Sequence, residues 1–180
     1  MIKCLNLGSG ISKQETTPEQ EWMNIDNDTR TRPDILRNLM NGIPFNDCTF
    51  DMVLSSHFFE HFKGTDLIFL VNEVWRVLKP EGRLYILSPY YKDKTSWIDV
   101  THEQHFNEYS FEFFWFPTTS SVLAGVTGWF EPVVIEVAEE RELRIIMLKA
   151  DREKHVVKYG RALPDFPKML KGVKKFYEYS

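Results

Sequence analysis

A short apolar segment that runs directly into a glycine turn constrains the fold of this chain more than any other feature. Residues 2–7 are mostly apolar, and Gly8, Ser9 and Gly10 follow them at once. This pattern predicts a β-strand that ends in a tight turn. Glycine lets a ligand approach the backbone, because no Cβ stands in the way. In open α/β sheets ligands bind at the carboxyl edge of the strands, so the turn is the first candidate binding element.

Length and composition predict one globular domain in a reducing compartment. The chain has 180 residues, enough for a sizeable core. Cys4 and Cys48 lie in apolar segments and are expected to be free thiols. No signal peptide precedes the first strand and no apolar run could span a membrane, so we expect a cytoplasmic protein without a membrane span. No cysteine and histidine spacing matches a zinc site, and no metal is expected.

Charge is unevenly distributed along the chain. The formal net charge is −4, yet residues 152–180 carry eight Lys and Arg against three acidic residues. We therefore expect a domain over residues 1–150 and a basic extension over residues 151–180. The acidic body argues against a nucleic-acid groove. The extension could contact an anionic partner or a phosphate-bearing substrate, or it could be a solvated tail.

The first half of the chain predicts several short strands and a loop where a helix is usual. Residues 11–20 lack an apolar stripe, so we expect a loop there rather than the first helix of a doubly wound domain. Residues 22–26 predict a strand that ends in a carboxylate. Residues 34–39 are consistent with a short edge strand, and residues 49–55 predict a buried one.

A strand–helix–strand unit follows. Residues 66–78 place apolar side chains on one helical face, Thr65 is expected to cap the start, and residues 79–82 are expected to end the helix. Residues 83–87 predict the next buried strand. The short exit implies a right-handed parallel crossover.

The last part of the domain predicts a hairpin. Residues 133–137 and 143–148 are apolar and are joined by a short acidic turn, which indicates antiparallel pairing. Between the two units, residues 90–107 form a long aromatic and polar segment. Ser110 is expected to cap a short helix over residues 111–116.

The glycine turn and Asp26 together favour a ligand with a ribose but no phosphate. A carboxylate at the end of the second strand can accept hydrogen bonds from ribose hydroxyls. A dinucleotide fingerprint needs a third glycine, and Lys13 occupies that position. The helix whose N-terminus would hold a pyrophosphate is also not expected.

Several segments resemble, in order and spacing, the class I S-adenosylmethionine-dependent methyltransferases, in particular small members with a shortened first crossover. These segments are residues 5–10, 22–26, 43–45, 49–53, 57–61 and 74–82. The resemblance implies an α/β, Rossmann-like three-layer sandwich with a mostly parallel sheet of order 3-2-1-4-5-7-6, in which strand 7 is antiparallel. It also implies S-adenosyl-L-methionine as the cofactor.

The resemblance assigns cofactor contacts to residues at the ends of the first four strands. The glycine turn would pass under the methionine part, Asp26 would bind the ribose, Asn38 would contact the adenine amino group, and Ser55 or Ser56 would face the amino end. Asn6 stands where many members have Asp. The implied cofactor-binding residues are Asn6, Gly8, Ser9, Gly10, Asp26, Asn38, Leu39, Ser55 and Ser56.

Four histidines are candidates for the general base that an oxygen acceptor would require: His57, His61, His102 and His105. His102 is the first choice and His105 the second, because residues 97–106 follow the fifth strand and resemble a segment of relatives that are proposed to modify sugars or small metabolites. Asp99 or Glu103 could orient either ring, or the whole segment could be a lid that only excludes water. His57, after the fourth strand, is the third candidate.

Two further interpretations concern neighbouring residues. His61 is expected to form a structural hydrogen bond that anchors its loop. A metal site built from Asp99, His102, Glu103 and His105 is disfavoured, since so short a loop rarely supplies three or four ligands to one ion.

The sequence thus predicts an S-adenosylmethionine-dependent methyltransferase acting on a small molecule, such as a sugar or a glycan precursor. An alternative is a catalytically inactive binding module or partner subunit that keeps the fold. A nicotinamide-dependent oxidoreductase is disfavoured by Lys13.

Overall fold

A mixed β-sheet organises the computed structural model, which describes residues 1–151 and the backbone of residues 174–176. The strands are β1 (Ile2–Leu7), β2 (Gln20–Asp26), β3 (Ile35–Leu36), β4 (Phe50–Ser56), β5 (Leu78–Pro89), β6 (Phe130–Ala138), β7 (Glu142–Lys149) and β8 (Lys174–Phe176). Their order is β3-β2-β1-β4-β5-β7-β6-β8. β7 is antiparallel to β5 and β6, and every other pairing is parallel.

The first seven strands confirm the predicted sheet order and the Rossmann-like α/β class. β8, beside β6, was not predicted, and it falls within the expected basic extension. Residues 152–173 and 177–180 of that extension lie outside the described residues, so the boundary between domain and extension stays a prediction.

The connection between β1 and β2 contains no helix, as the sequence predicted. Side-chain amides hold it in place instead. Asn6 Nδ2 donates to the carbonyl oxygen of Ser12 (3.2 Å) and to Asn24 Oδ1 (3.1 Å). The Asn24 amide in turn accepts from the backbone N–H of Gln14 (2.8 Å) and donates to its carbonyl oxygen (3.0 Å). Two buried asparagines thus replace the packing face of the missing helix.

Asp34 and Lys13 extend this amide network to the edge of the sheet. Asn24 Nδ2 donates to Asp34 Oδ2 at 2.7 Å, and Lys13 Nζ lies 2.9 Å from Asp34 Oδ1. Lys13 therefore has a structural partner. The name amide network is used below for Asn6, Asn24, Asp34 and Lys13.

Helix α1 (Gly64–Val77) packs its apolar face into the core. Its buried side chains are Leu67, Leu70, Val71, Val74 and Val77. The predicted Thr65 cap is wrong: the helix starts at Gly64, so Thr65 lies inside the first turn, and the N-cap residue Lys63 makes no side-chain hydrogen bond. The helix ends at Val77, and β5 begins at once. The predicted strand over residues 83–87 is therefore longer in both directions.

The hairpin of β6 and β7 is confirmed, and β7 lies between β5 and β6. The predicted helix over residues 111–116 is only a 3-10 turn, Glu112–Phe114. Ser110 does not cap it, because its hydroxyl accepts the backbone N–H of Asn107 (2.8 Å). Two short helices, α2 (Thr95–Ile98) and α3 (Thr119–Leu123), were not predicted.

The core lies between the sheet and the elements packed on it. Leu5, Leu7 and Val53 are fully buried in the central strands, and Phe111 and Phe130 are fully buried beside them. Across the described residues, we find no helix with the length and apolar character that crossing a bilayer requires.

Candidate functional site

A cavity of about 300 Å³ opens at the carboxyl ends of β1, β2, β3 and β4. This is the edge at which the glycine turn was expected to act. Its walls are Gly8, Asp26, Asn27, Arg37, Asn38, Leu39, His57, Phe58, His61 and Phe62. Five predicted site residues therefore share one cavity: Gly8, Asp26, Asn38, Leu39 and His57.

The glycine turn has the left-handed backbone that its residues suggest. Gly8 has φ +58° and Gly10 has φ +50°. The ring of Phe58 lies on Gly8, where a Cβ would stand 2.0 Å from Phe58 Cδ2. Space for a ligand over Gly8 is thus shared with this aromatic ring.

Asp26 is held rigidly at the cavity wall. Its Oδ2 accepts the backbone N–H of Gly10 (2.7 Å) and its Oδ1 accepts that of Asp28 (2.8 Å). The residue is 9% exposed. Because each carboxylate oxygen can accept more than one hydrogen bond, both remain able to receive ligand hydroxyls.

The wall after β3 is shaped by a 3-10 turn, Leu39–Asn41, which Asn38 caps. Asn38 Oδ1 accepts the backbone N–H of Met40 at 2.9 Å. The predicted adenine contact would use the same oxygen, which keeps one lone pair. Arg37 also lines the wall and was missed, because a single basic residue beside a two-residue edge strand gives no sequence signal.

The other predicted cofactor residues do not line this cavity: Asn6, Ser9, Gly10, Ser55 and Ser56. Asn6 belongs to the amide network instead. Gly10 contributes through its hydrogen bond to Asp26. Ser9 and Ser55 are buried, and their hydroxyls have no hydrogen-bond partner within the described residues. Their assignment to cofactor binding stays a prediction.

His57 stands at the cavity with two carboxylates beside it. Its Nδ1 is 3.5 Å from Glu60 Oε1 and its Nε2 is 3.7 Å from Glu142 Oε2. Glu60, and to a lesser degree Glu142, raise the pKa of His57, while partial burial opposes them. These contacts are long for hydrogen bonds, so the interaction is mainly electrostatic. The backbone of His57 is left-handed (φ +49°), an uncommon conformation for a residue with a side chain.

His61 also lines the cavity and anchors a loop, as expected. Its Nδ1 lies 3.0 Å from Thr101 Oγ1 and 3.3 Å from the Thr101 carbonyl oxygen. Thr101 Oγ1 donates to Asp99 Oδ1 (2.7 Å). His61 is therefore fixed to the segment that follows β5.

His102 and His105, the first two candidates for the base, do not line the cavity. The His102 side chain is 7% exposed, and its ring centroid lies 4.8 Å from that of His61, behind the cavity wall. His105 stacks on Trp97 with 3.6 Å between ring centroids, and its Nδ1 is 3.0 Å from Ser96 Oγ. The sequence predicted that residues 97–106 lie at the carboxyl edge of the sheet. It could not show which histidine ring reaches the cavity.

Comparison with known proteins agrees with this geometry. Residues 12–86 match the family model described as a methyltransferase domain. Over 80 residues the chain is 34% identical to YrhH of Bacillus subtilis (strain 168), which its name assigns provisionally to the methyltransferases. That match covers 43% of this chain and 43% of YrhH, so it spans less than half of the relative.

Solved structures share the fold at low identity. A SAM-dependent methyltransferase from Aquifex aeolicus gives a TM-score of 0.56 at 14% identity, covering 83% of this chain and 82% of that one. One from Archaeoglobus fulgidus gives 0.56 at 18% identity, covering 82% and 86%. The sheet order, the matched residues and the shared structures lead to one conclusion: the chain has the Rossmann-like fold of S-adenosylmethionine-dependent methyltransferases, and its residues 12–86 match a methyltransferase domain.

Proposed function

We propose that the chain binds S-adenosylmethionine in the cavity and directs methyl transfer to a small-molecule acceptor. The single observation that carries the proposal is the Asp26 carboxylate, fixed at the cavity wall by two backbone N–H groups. The cofactor, when bound, supplies a methyl group activated on a sulfonium. Positioning then accounts for most of the rate, because the leaving thioether is good.

The residues of the cavity fit the adenosine part of this cofactor. Asp26 can accept both ribose hydroxyls, and Leu39, which is buried, offers an apolar surface for the adenine. Asn38 stands at the same wall. Above Gly8, the Phe58 ring occupies part of the space assigned to the methionine end, so we propose that this ring moves aside when the cofactor binds.

His57 is the residue we propose as the general base for an oxygen acceptor. It lines the cavity, and its half-exposed side chain can reach a ligand. Its raised pKa makes the neutral imidazole a stronger proton acceptor. His102 and His105 stay sequence-based candidates with weaker geometric support, since both lie outside the cavity wall.

The acceptor class is proposed from the sequence, because the cavity of about 300 Å³ is assigned to the cofactor. A sugar or glycan precursor is proposed from the resemblance of residues 97–106 alone. A cytoplasmic location is proposed in turn, supported by the free thiols of Cys4 and Cys48.

A catalytically inactive binding module is the competing proposal, and the Phe58 ring on Gly8 favours it. If the ring stays in place, it occupies space above Gly8 that is assigned to the methionine end. A binding measurement with cofactor fragments separates the two proposals, because adenosine alone would bind such a module as well as the whole cofactor does.

Calorimetry on the full chain with S-adenosylmethionine, S-adenosylhomocysteine, adenosine and NAD tests the proposal. We expect both sulfur compounds to bind more tightly than adenosine, and NAD not to bind. Asp26→Asn should raise their Kd by about tenfold or more, since a hydrogen bond to a charged group is worth roughly 1.5–3 kcal/mol.

Asp51→Asn is the matched control. Asp51 lies in the same sheet near the amino end of β4, where its carboxylate binds Lys79 Nζ at 2.8 Å. The Asp51→Asn variant should bind S-adenosylmethionine and S-adenosylhomocysteine with unchanged affinity. The absence of binding by both sulfur compounds would refute the proposed cofactor, and equal binding of adenosine would favour the inactive module.

A further inference from the structure

We propose that Glu60, His61 and His102 form a binding site for one divalent transition-metal ion at the wall of the cavity. One donor atom from each residue lies within 4.8 Å of the other two. Two imidazole nitrogens and one carboxylate oxygen form a ligand set that suits Zn²⁺ and similar ions. The inference does not depend on methyl transfer, because the site is defined by these side chains alone.

The environment of Glu60 gives the strongest support for the metal site. The residue is 1% exposed, and neither carboxylate oxygen accepts a hydrogen bond from the described residues. The nearest histidine nitrogen is Nδ1 of the half-exposed His57 ring, 3.5 Å from Oε1, which is long for a hydrogen bond. A buried carboxylate without hydrogen bonds is costly, and such groups are normally paired or coordinate a metal. A cation between Glu60 and the two histidines would remove this cost.

The two histidines are oriented as metal ligands usually are. His102 Nδ1 is 2.9 Å from the Ser96 carbonyl oxygen, and His61 Nδ1 is 3.3 Å from that of Thr101. A carbonyl oxygen can only accept, so each Nδ1 carries the proton and each Nε2 keeps its lone pair. A ring nitrogen that donates to a backbone carbonyl is the common support of a metal-bound histidine.

The cluster is held together from two distant parts of the chain. The backbone N–H groups of Glu103 and Gln104 donate to the Glu60 carbonyl oxygen at 2.8 and 3.0 Å. The segment that carries His102 is thereby fixed against the 3-10 turn Phe59–His61. A metal site within residues 99–105 alone was disfavoured by its length. The fold supplies Glu60 and His61 from the end of β4 instead.

A bound ion would draw the three donor atoms closer together. Ligand atoms around one tetrahedral ion lie about 3.4 Å apart when the bonds are about 2.0–2.1 Å long. The donor atoms now lie within 4.8 Å of one another, so binding has to shift the side chains by about an ångström. His61 also lines the cavity, so an open coordination position can face a ligand there. Asp99 Oδ2, 3.8 Å from His102 Nε2, is the nearest further carboxylate.

Metal binding to the full chain, freed of metal and of any purification tag, tests the proposal with CoCl₂ and ZnCl₂ as probes. We expect one ion per chain by calorimetry, and visible Co²⁺ absorption that Zn²⁺ displaces. Glu60→Gln and His102→Ala should each weaken binding at least tenfold. His105→Ala is the control and should keep the affinity, because His105 stacks on Trp97 outside the cluster.

Histidine ring signals of the unaltered chain give a second measurement that needs no variant. Addition of Zn²⁺ should shift the signals of His61 and His102 and leave that of His105 in place. Binding of no ion, or an ion whose affinity survives both Glu60→Gln and His102→Ala, would overturn the proposal. If these variants do not fold, ring signals of His61 and His102 that ignore Zn²⁺ would overturn it equally.

Discussion

The Phe58 ring lies directly on Gly8, so that a Cβ on Gly8 would stand 2.0 Å from Phe58 Cδ2. The relationship joins the ends of β1 and β4 at the cavity. Gly8 is therefore required for two separate reasons: its left-handed backbone (φ +58°) and the absence of a side chain under the ring.

Gly8→Ala is expected to destabilise the fold by roughly 2–4 kcal/mol, the sum of a left-handed alanine and an overpacked contact. Gly10→Ala is the matched control. Gly10 has a similar φ of +50°, but its nearest neighbour would be 4.0 Å from the Cβ, so about 1 kcal/mol is expected. Urea unfolding measures both. Equal losses would show that the Phe58 contact does not matter.

A double variant isolates the ring itself. Phe58→Ala removes the clashing side chain, so Gly8→Ala combined with Phe58→Ala should cost less than the two single losses added together. A loss of stability in the double variant equal to the sum of the two single losses would contradict this explanation.

Asn6→Asp is expected to destabilise the chain by roughly 2–4 kcal/mol. Asn6 Nδ2 donates to two oxygens, those of Ser12 and Asn24, and an ionised carboxylate can donate to neither. Asn46→Asp, on an exposed loop, should change stability by less than about 0.5 kcal/mol. Thermal and urea unfolding distinguish the two variants, and an Asn6→Asp variant as stable as the parent would refute the role of the amide network.

Acid should weaken the ion pair between Glu73 and Arg76 on α1. Arg76, which binds Glu73 Oε1 through Nε at 2.7 Å, holds the pKa of Glu73 below its ordinary value. A lowered folded-state pKa gives stability that is present above the unfolded-state pKa and lost as pH falls through the folded-state value.

Glu73→Gln should therefore lower the free energy of unfolding most near pH 7. The difference between variant and parent should shrink below about pH 4.5, where the carboxylate of the unfolded parent becomes protonated. Urea unfolding of parent and variant from pH 7 to pH 3 measures this. A deficit that stays constant over the range would contradict it.

The two cysteines are expected to differ in reactivity. Burial raises the pKa of Cys4 to about 11, with Asp51 contributing, and its side chain is fully buried. Cys48 is exposed. Iodoacetamide at pH 8 should label Cys48 in the native chain and Cys4 only after unfolding, because the thiolate is the reactive form. Peptide mass spectrometry gives both rates, and early labelling of Cys4 would show that β1 opens locally.

The strands and the principal helix could be predicted because their patterns are local. Leu70, Val71 and Val74 repeat at helical spacing, and the hairpin is bounded by an obvious turn. Element ends were less predictable. Thr65 is a good capping residue in isolation, but the helix begins one residue earlier, at Gly64, and the N-cap position is Lys63.

The site was predictable in its location and less so in its members. Gly8 and Asp26 follow from the strand ends that carry them. His102 and His61 come from segments far apart in sequence, and only the fold shows that one ring lies behind the other. The resemblance assigned Asn6 to cofactor binding. In the structure its side chain instead donates to Asn24, which belongs to another strand, and to Ser12.

The contact of His57 with Glu142 joins two residues that are synthesised at different times. β7 lies between β5 and β6, so β6 can join the sheet only after β7 has been synthesised. The carboxylate beside His57 belongs to the first residue of β7. During translation the glycine turn and Asp26 leave the ribosome early. The cavity is not complete at His57 until Glu142 has been synthesised. The nascent chain therefore exposes the unpaired backbone groups along the edge of β5 until that point, and another strand can pair with them in the meantime.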